Sequence, residues 1–63
     1  MIEISKLTDD DKGRSVEYNP GYRIEHGIIS SWNEVYIFVR YVLPGGNVNT
    51  TAAATKPEDL RFS

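Results

Sequence analysis

Apolar and polar residues alternate along the chain in short runs, and each run ends at residues that form turns. Residues 14–18 carry Val16 and Tyr18 on one face of a predicted first strand, which ends at Asn19-Pro20-Gly21, a sequence typical of a turn. No window longer than about ten residues has apolar residues spaced three or four apart. The pattern therefore predicts an all-β chain.

The middle of the chain predicts a hairpin. Residues 24–32 and 35–42 form the second and third strands, and the third is the most apolar stretch of the sequence. Asn33-Glu34 reverses the chain between them, since Asn tolerates a positive φ. A loop at 43–49, rich in Gly and Asn, then leads to a short fourth strand at 50–54.

The two ends of the chain carry shorter elements. Ile2 and Ile4 alternate with polar neighbours and predict a short edge strand. A single helical turn follows, in which Thr8 caps free N–H groups and Gly13 closes the turn in the left-handed conformation. Near the other end, Pro57 predicts the start of one 3₁₀ turn, because proline suits the first position of a helical turn. A last short strand follows this turn at Leu60-Arg61-Phe62.

Short strands without a long helix to cover them cannot stay flat, because one face of the sheet would remain exposed. The sheet must curl on itself. We therefore predict one small barrel of about five strands over residues 1–63, with a one-turn 3₁₀ helix before the last strand. Residues 1–12 form an N-terminal arm and turn, and residues 13–63 form the barrel. Gly27, inside the second strand, is a natural place for a bend or a close backbone approach.

Composition limits the chemistry that the chain can perform. It has no Cys and one His, which excludes disulfides and argues against a structural zinc site, and no cofactor motif is present. His26 has no partner for a metal set or a nucleophilic pair. The acids at 9–11 and 58–59 suit helix capping, although the first group could also form a cation cluster. We expect no catalytic, cofactor or metal site.

Charge and hydropathy limit the partners and the location. The formal net charge of -2 gives no overall attraction to nucleic acid or to an anionic membrane. No run of 18 apolar residues exists, and the N-terminus lacks the pattern of a signal peptide. These features predict a cytoplasmic protein that does not interact with a membrane.

Four segments carry a resemblance to a known group of proteins. They are Gly13-Arg14 before Val16 and Tyr18, Gly27-Ile28-Ile29-Ser30-Ser31-Trp32-Asn33, Tyr36-Ile37-Phe38-Val39-Arg40-Tyr41, and Ala54-Thr55-Lys56-Pro57-Glu58-Asp59-Leu60. Together they resemble small SH3-like barrel proteins of uncharacterised bacteriophage and prophage origin. The resemblance implies an SH3-like fold and, for a phage product, the cytoplasm of the host bacterium. It implies no activity, because such barrels serve many unrelated functions.

The third strand predicts a candidate binding face. If Ile37 and its alternate neighbours point inward, then Tyr36, Phe38 and Arg40 lie on the outer face. Such an aromatic and basic stripe suits a protein interface, and it also suits a surface on which single-stranded bases stack. A third interpretation is that Phe38 belongs to a second, minor core.

Two more aromatic residues extend the candidate site. Trp32 lies where the hairpin turns and Tyr22 lies in the preceding loop, so both could approach Tyr36 and form an aromatic cage for a cation. The alternative is that Trp32 covers the open barrel end as part of the core. The candidate partner-binding residues are therefore Tyr22, Trp32, Tyr36, Phe38 and Arg40.

Three functions are compatible with these features. The first is a small non-catalytic interaction module that docks a protein partner, or a second copy of itself, through the aromatic and basic face. The alternative is a nucleic-acid-binding accessory protein, which requires Arg14, Arg23, Arg40 and Arg61 to cluster on one face. The third is an enzyme formed only in an oligomer, as in the plasmid-encoded dihydrofolate reductases. That likeness is one of architecture only, since their Val-Gln-Ile-Tyr stretch has no counterpart here.

Overall fold

The computed structural model describes all 63 residues and confirms the predicted fold class. One antiparallel sheet contains five strands in the order β4-β3-β2-β1-β5. The strands are β1 (Ser15–Tyr18), β2 (Glu25–Trp32), β3 (Ile37–Tyr41), β4 (Ala53–Thr55) and β5 (Leu60–Phe62). Three short 3₁₀ helices cover Ile4–Lys6, Asp9–Asp11 and Pro57–Asp59, and the third directly precedes β5 as predicted. The structure contains no helix long and apolar enough to cross a membrane.

The eight-residue strand β2 lets the sheet bend. It pairs with β1 through Glu25–Ile28 and with β3 through Gly27–Trp32. Between these ends the register with β3 shifts so that Ser30 has no opposite residue, which is a β-bulge. Gly27 is buried where β2 and β3 meet, and a Cβ atom there would lie only 2.5 Å from Val39 Cγ1. The predicted close approach at Gly27 is confirmed.

The core lies on the inner face of the curled sheet. Six buried apolar side chains form it: Ile2, Val16, Ile29, Ile37, Val39 and Leu60. Four of the five strands contribute to it, and the alternation of β3 holds as predicted, since Ile37 and Val39 are buried while Phe38 and Arg40 are half-buried.

The predicted edge strand at Ile2 to Ile4 is wrong. Ile2 is buried in the core, its N–H donates to Pro57 O at 3.1 Å, and a 3₁₀ helix begins at Ile4. Two isoleucines two residues apart suit a strand, but here the first one fills the core and the arm makes no ladder with a neighbouring strand. The helical turn at Asp9–Asp11 is confirmed, and Gly13 follows it with φ +89°.

The turns show how local sequence ends each strand. Asn19 Oδ1 accepts the Gly21 N–H at 2.9 Å, as expected of an Asn-Pro-Gly turn. At the hairpin, Asn33 does not adopt the predicted positive φ. Its Oδ1 instead accepts the N–H groups of Val35 and Tyr36, so the side chain holds the turn and β3 begins only at Ile37. The fourth strand covers Ala53–Thr55 rather than 50–54.

Candidate docking surfaces

The outer face of the β2–β3 hairpin carries apolar side chains beside polar ones, among them His26 and Ser31. Ile28 pairs with Arg40, and Phe38 and Arg40 lie outward on β3. Val42, two residues after Arg40, is 43% exposed. We call this surface, formed by Ile28, Phe38, Arg40 and Val42, the outer hairpin face. An antiparallel sheet with one face on the core normally presents polar residues on the other.

The outer face of β1 and β5 has the opposite character. Ser15 is exposed, and Arg61 Nε lies 2.8 Å from Glu17 Oε2 in an ion pair between the two strands. Polar and charged residues therefore cover this half of the sheet, as usual. The apolar outer residues are concentrated on the other half, at the hairpin.

Two side chains on the outer hairpin face can take part in binding. Phe38 is half-buried, and its cross-strand neighbours, Ser31 and Ala54, are small. The partly buried side chains that pack on the core are Ile4, Leu7, Tyr18, Trp32, Tyr41 and Phe62, so Phe38 is not among them. Arg40 Nε donates to Asn49 O at 2.9 Å, and no carboxylate lies within 4 Å of its guanidinium. Arg40 therefore holds the neighbouring loop while its charge stays unpaired.

The structure does not bring all five candidate residues together. Trp32 packs against the core and lines an open cleft with Ile4 and the hairpin turn, and Lys12 Nζ lies 5.7 Å from its ring centre. Tyr36 is in the hairpin turn and lines a different groove. Tyr22 is 74% exposed, with the Arg23 guanidinium 5.0 Å from its ring centre. Trp32 and Tyr36 thus line no common cavity.

The groove that Tyr36 lines has a volume of about 530 Å³. Three tyrosines, two alanines, a threonine and two pairs of opposite charges form its walls: Tyr18, Tyr36, Tyr41, Ala53, Ala54, Thr55, Arg23, Glu25, Lys56 and Asp59. We call this surface the tyrosine groove. It spans the curled sheet from the edge strand β4 to the end of β1.

A chain of hydrogen bonds fixes the floor of the tyrosine groove. Thr55 Oγ1 donates to Ala53 O at 3.2 Å, and Tyr41 Oη lies 2.7 Å from Thr55 Oγ1. Because the single Thr55 hydroxyl proton is used toward Ala53, the Tyr41 hydroxyl is the donor in the second bond. Burial raises the pKa of Tyr41, so its phenol stays protonated and keeps this role. Tyr18 packs edge-on against it, with ring centres 5.8 Å apart.

The charges along the tyrosine groove balance. Arg23 Nε lies 2.8 Å from Glu25 Oε2, while Lys56 and Asp59 have no ion partner within 4 Å. Two positive and two negative side chains therefore give no net charge. Sequence reasoning did not assemble this groove, because its residues come from separate stretches of the chain that only the folded sheet brings together.

The arginines do not form an unpaired basic surface. Arg14 Nη1 binds Asp11 Oδ1 at 2.9 Å, and Arg23 and Arg61 each have a carboxylate at 2.8 Å. Arg14 also stacks on Phe62, 3.7 Å from its ring centre. Three of the four arginines required by the nucleic-acid hypothesis are thus paired with acids, which weakens their attraction to phosphates.

The aspartates of the second 3₁₀ helix are used within the fold. The Asp11 carboxylate accepts the Thr8 N–H at 2.9 Å and pairs with Arg14. The first of these bonds, with help from the arginine, lowers the pKa of Asp11. No group of three or more His, Cys, Asp or Glu side chains comes close enough to hold a metal ion.

Comparisons of the chain with known protein families, with curated proteins and with solved structures find no match.

Proposed function

We propose that the protein is a small non-catalytic interaction module, an SH3-like barrel of phage or prophage type, which docks a protein partner or a second copy of itself. The outer hairpin face is the docking surface. The observation that carries this proposal is the group of apolar side chains, Ile28, Phe38 and Val42, on the outer hairpin face, beside a polar outer face of β1 and β5. The phage resemblance adds the expectation that it acts in the cytoplasm of a bacterial host.

The residue types on this face support the proposal. Burying apolar surface stabilises a complex by about 25 cal/mol per Å² before the costs of association, and Phe38 with Ile28 and Val42 supplies such surface. Arg40 adds an unpaired guanidinium among these side chains. Its bond to Asn49 O already restricts the side chain, which reduces the entropy lost on binding.

The first test measures molar mass by light scattering over a concentration series, for the wild-type protein, Phe38→Ser and Val35→Ser. Val35 is the matched control, because it is 61% exposed and lies off the proposed face. If the module docks itself, we expect the wild type and Val35→Ser to dimerise. Phe38→Ser should weaken the dimer by at least about thirtyfold, the scale of a hot spot of about 2 kcal/mol.

If the wild-type protein stays monomeric, the test turns to binding of a different protein. Wild-type and Phe38→Ser proteins then serve as paired baits in a bacterial lysate, and a partner retained only by the wild type supports docking through this face. Two outcomes contradict the proposal: loss of the fold in Phe38→Ser, which would make Phe38 a core residue, or association that is equal in both proteins.

A further inference from the structure

The tyrosine groove lies beside a strand edge that has no partner. Strand β4 is at one end of the sheet and pairs only with β3. We infer that this groove takes an extended, uncharged peptide segment, which adds to β4 as a further strand. A free strand edge presents unpaired N–H and C=O groups, and a second extended backbone is the ligand that satisfies them.

The hydrogen bonds of β3 show which groups of that strand face β4. The Val42 N–H bonds to His26 O on the β2 side at 2.9 Å. On the opposite side, Tyr41 O accepts the Asn49 N–H at 2.8 Å. Because these directions alternate along a strand, the odd-numbered residues of β3 direct their backbone groups toward β4.

The free groups of β4 follow from this alternation. Thr55 pairs with Ile37 and Ala53 pairs with Val39, so these two residues of β4 direct their N–H and C=O groups inward to β3. Ala54 lies between them, and its N–H and C=O therefore point away from the sheet. They are the central pair of bonds for an added strand.

The groove walls suit the side chains of such a strand. Ala53 and Ala54 are both exposed and have the smallest side chains in the groove, so another backbone can approach β4 closely. Alternate side chains of the added strand point to the inner side, where Tyr18, Tyr36 and Tyr41 offer ring surface. Tyrosine rings combine large contact area with a hydroxyl that can bond to a peptide carbonyl.

Charge selects the class of occupant. The charges of the four charged side chains of the groove sum to zero, because Arg23 and Lys56 are balanced by Glu25 and Asp59. For a polyanion such as a nucleic acid, repulsion by the two acids would offset attraction by the two basic residues. An uncharged extended peptide meets no such opposition, and its binding should change little with salt.

The experiment selects heptapeptides from a random display library on the intact protein, and then measures the affinity of the best uncharged sequence as a capped synthetic peptide. We expect binding that changes less than about threefold between 50 and 500 mM NaCl, since no net charge is neutralised. Selection of acidic or basic sequences only, or of none, overturns the inference.

Two variants test the binding geometry. Ala54→Pro removes the outward N–H, and proline is tolerated on an edge strand where that group faces solvent. We expect it to weaken the peptide by about tenfold or more, which corresponds to about 1.4 kcal/mol. Tyr36→Ala changes an exposed residue outside the core and should also weaken peptide binding. It replaces Ala54→Pro as the test if that variant does not fold.

Amide hydrogen exchange tests strand addition directly, in the wild-type protein and without any substitution. The bound peptide should slow exchange of the Ala54 amide relative to the free protein, because an added strand protects it. Unchanged exchange there contradicts strand addition. Val42→Ser changes the outer hairpin face outside the β3–β4 pairing and should bind the peptide like the wild type, so the groove and the outer hairpin face can fail or succeed separately.

Discussion

At the scale of single residues, Gly27 and Asn33 show two ways in which one side chain determines backbone geometry. Gly27 allows β2 and β3 to approach, since a Cβ atom would also lie 3.0 Å from Arg40 O. Asn33 holds the hairpin turn because its side-chain oxygen accepts hydrogen bonds from two backbone N–H groups. The first effect was predictable from a glycine inside a strand. The second was not, because Asn serves a turn equally well through its backbone or its side chain.

Asp11 gives the fold a defined dependence on pH. Its folded-state pKa is lowered from 3.8, mainly by the bond from the Thr8 N–H, so the ionised form stabilises the fold. This contribution is complete above the unfolded pKa and is lost as the pH falls through the lowered pKa. We expect Asp11→Asn to lower the urea midpoint at pH 7 and to differ less from the wild type as the pH drops below 3.8.

The control for Asp11 is its neighbour. Asp10 is exposed and has no ion pair or side-chain hydrogen bond, so Asp10→Asn should have the urea midpoint of the wild type at pH 7. If the gap between Asp11→Asn and the wild type stays constant from pH 7 to pH 2, the bond to the Thr8 N–H does not depend on ionisation.

At the scale of elements, the sequence was most informative where turn chemistry and alternation agreed. The hairpin of β2 and β3, the 3₁₀ turn at Pro57 and the last strand follow from local residue types. The prediction of an N-terminal strand was wrong, because alternation at Ile2 and Ile4 shows only that two apolar residues are close in sequence. Whether such residues join a ladder or fill a core depends on distant contacts, here with Pro57.

Strand β4 is joined to β3 by a side-chain hydrogen bond as well as by the backbone ladder. It has three residues, and the Tyr41–Thr55 hydrogen bond at 2.7 Å links it to β3 in addition to the ladder. We expect Tyr41→Phe and Thr55→Val each to lower the free energy of unfolding by about 0.5 to 1.5 kcal/mol. Because each change breaks the same bond, the double variant should lose less than the sum.

Urea unfolding of the four proteins in this cycle measures the coupling. Tyr36→Phe is the matched control, since the Tyr36 hydroxyl makes no hydrogen bond within the chain and lies in the same groove. Its stability should equal that of the wild type. Strictly additive losses for Tyr41 and Thr55 would show that their bond contributes nothing to holding β4.

At the scale of the whole molecule, the two candidate surfaces were predictable to different degrees. Phe38 and Arg40 share an outer face because alternation within one strand suffices to place them. The tyrosine groove was not predictable, since it joins β4 to Tyr18 only after the sheet curls. Tyr36 is separated from Phe38 and Arg40 because the hairpin turn holds it outside β3, and it lines the groove instead. A surface that lies along one strand can be predicted from the sequence, whereas a surface formed between separate elements can be identified only once the fold is known.

The small core makes the whole fold sensitive to its N-terminal arm. Only six apolar side chains are buried, and Ile2 is the one that comes from outside the sheet. Ile2→Ala should cost about 2 to 5 kcal/mol. A chain of this length has a total stability of roughly 3 to 9 kcal/mol, from about 0.05 to 0.15 kcal/mol per residue. We therefore expect this single change to leave a substantial unfolded population at 25 °C.

Ile24→Ala is the matched control, since it removes the same atoms from a side chain that is 52% exposed. It should cost less than about 1 kcal/mol. Thermal and urea unfolding of both variants, followed by circular dichroism, measures the difference. If Ile2→Ala is as stable as Ile24→Ala, the arm only covers a sheet that folds without it. If it unfolds, the arm and the strands form one cooperative unit, in which the Ile2 bond to Pro57 also fixes the turn that leads into β5.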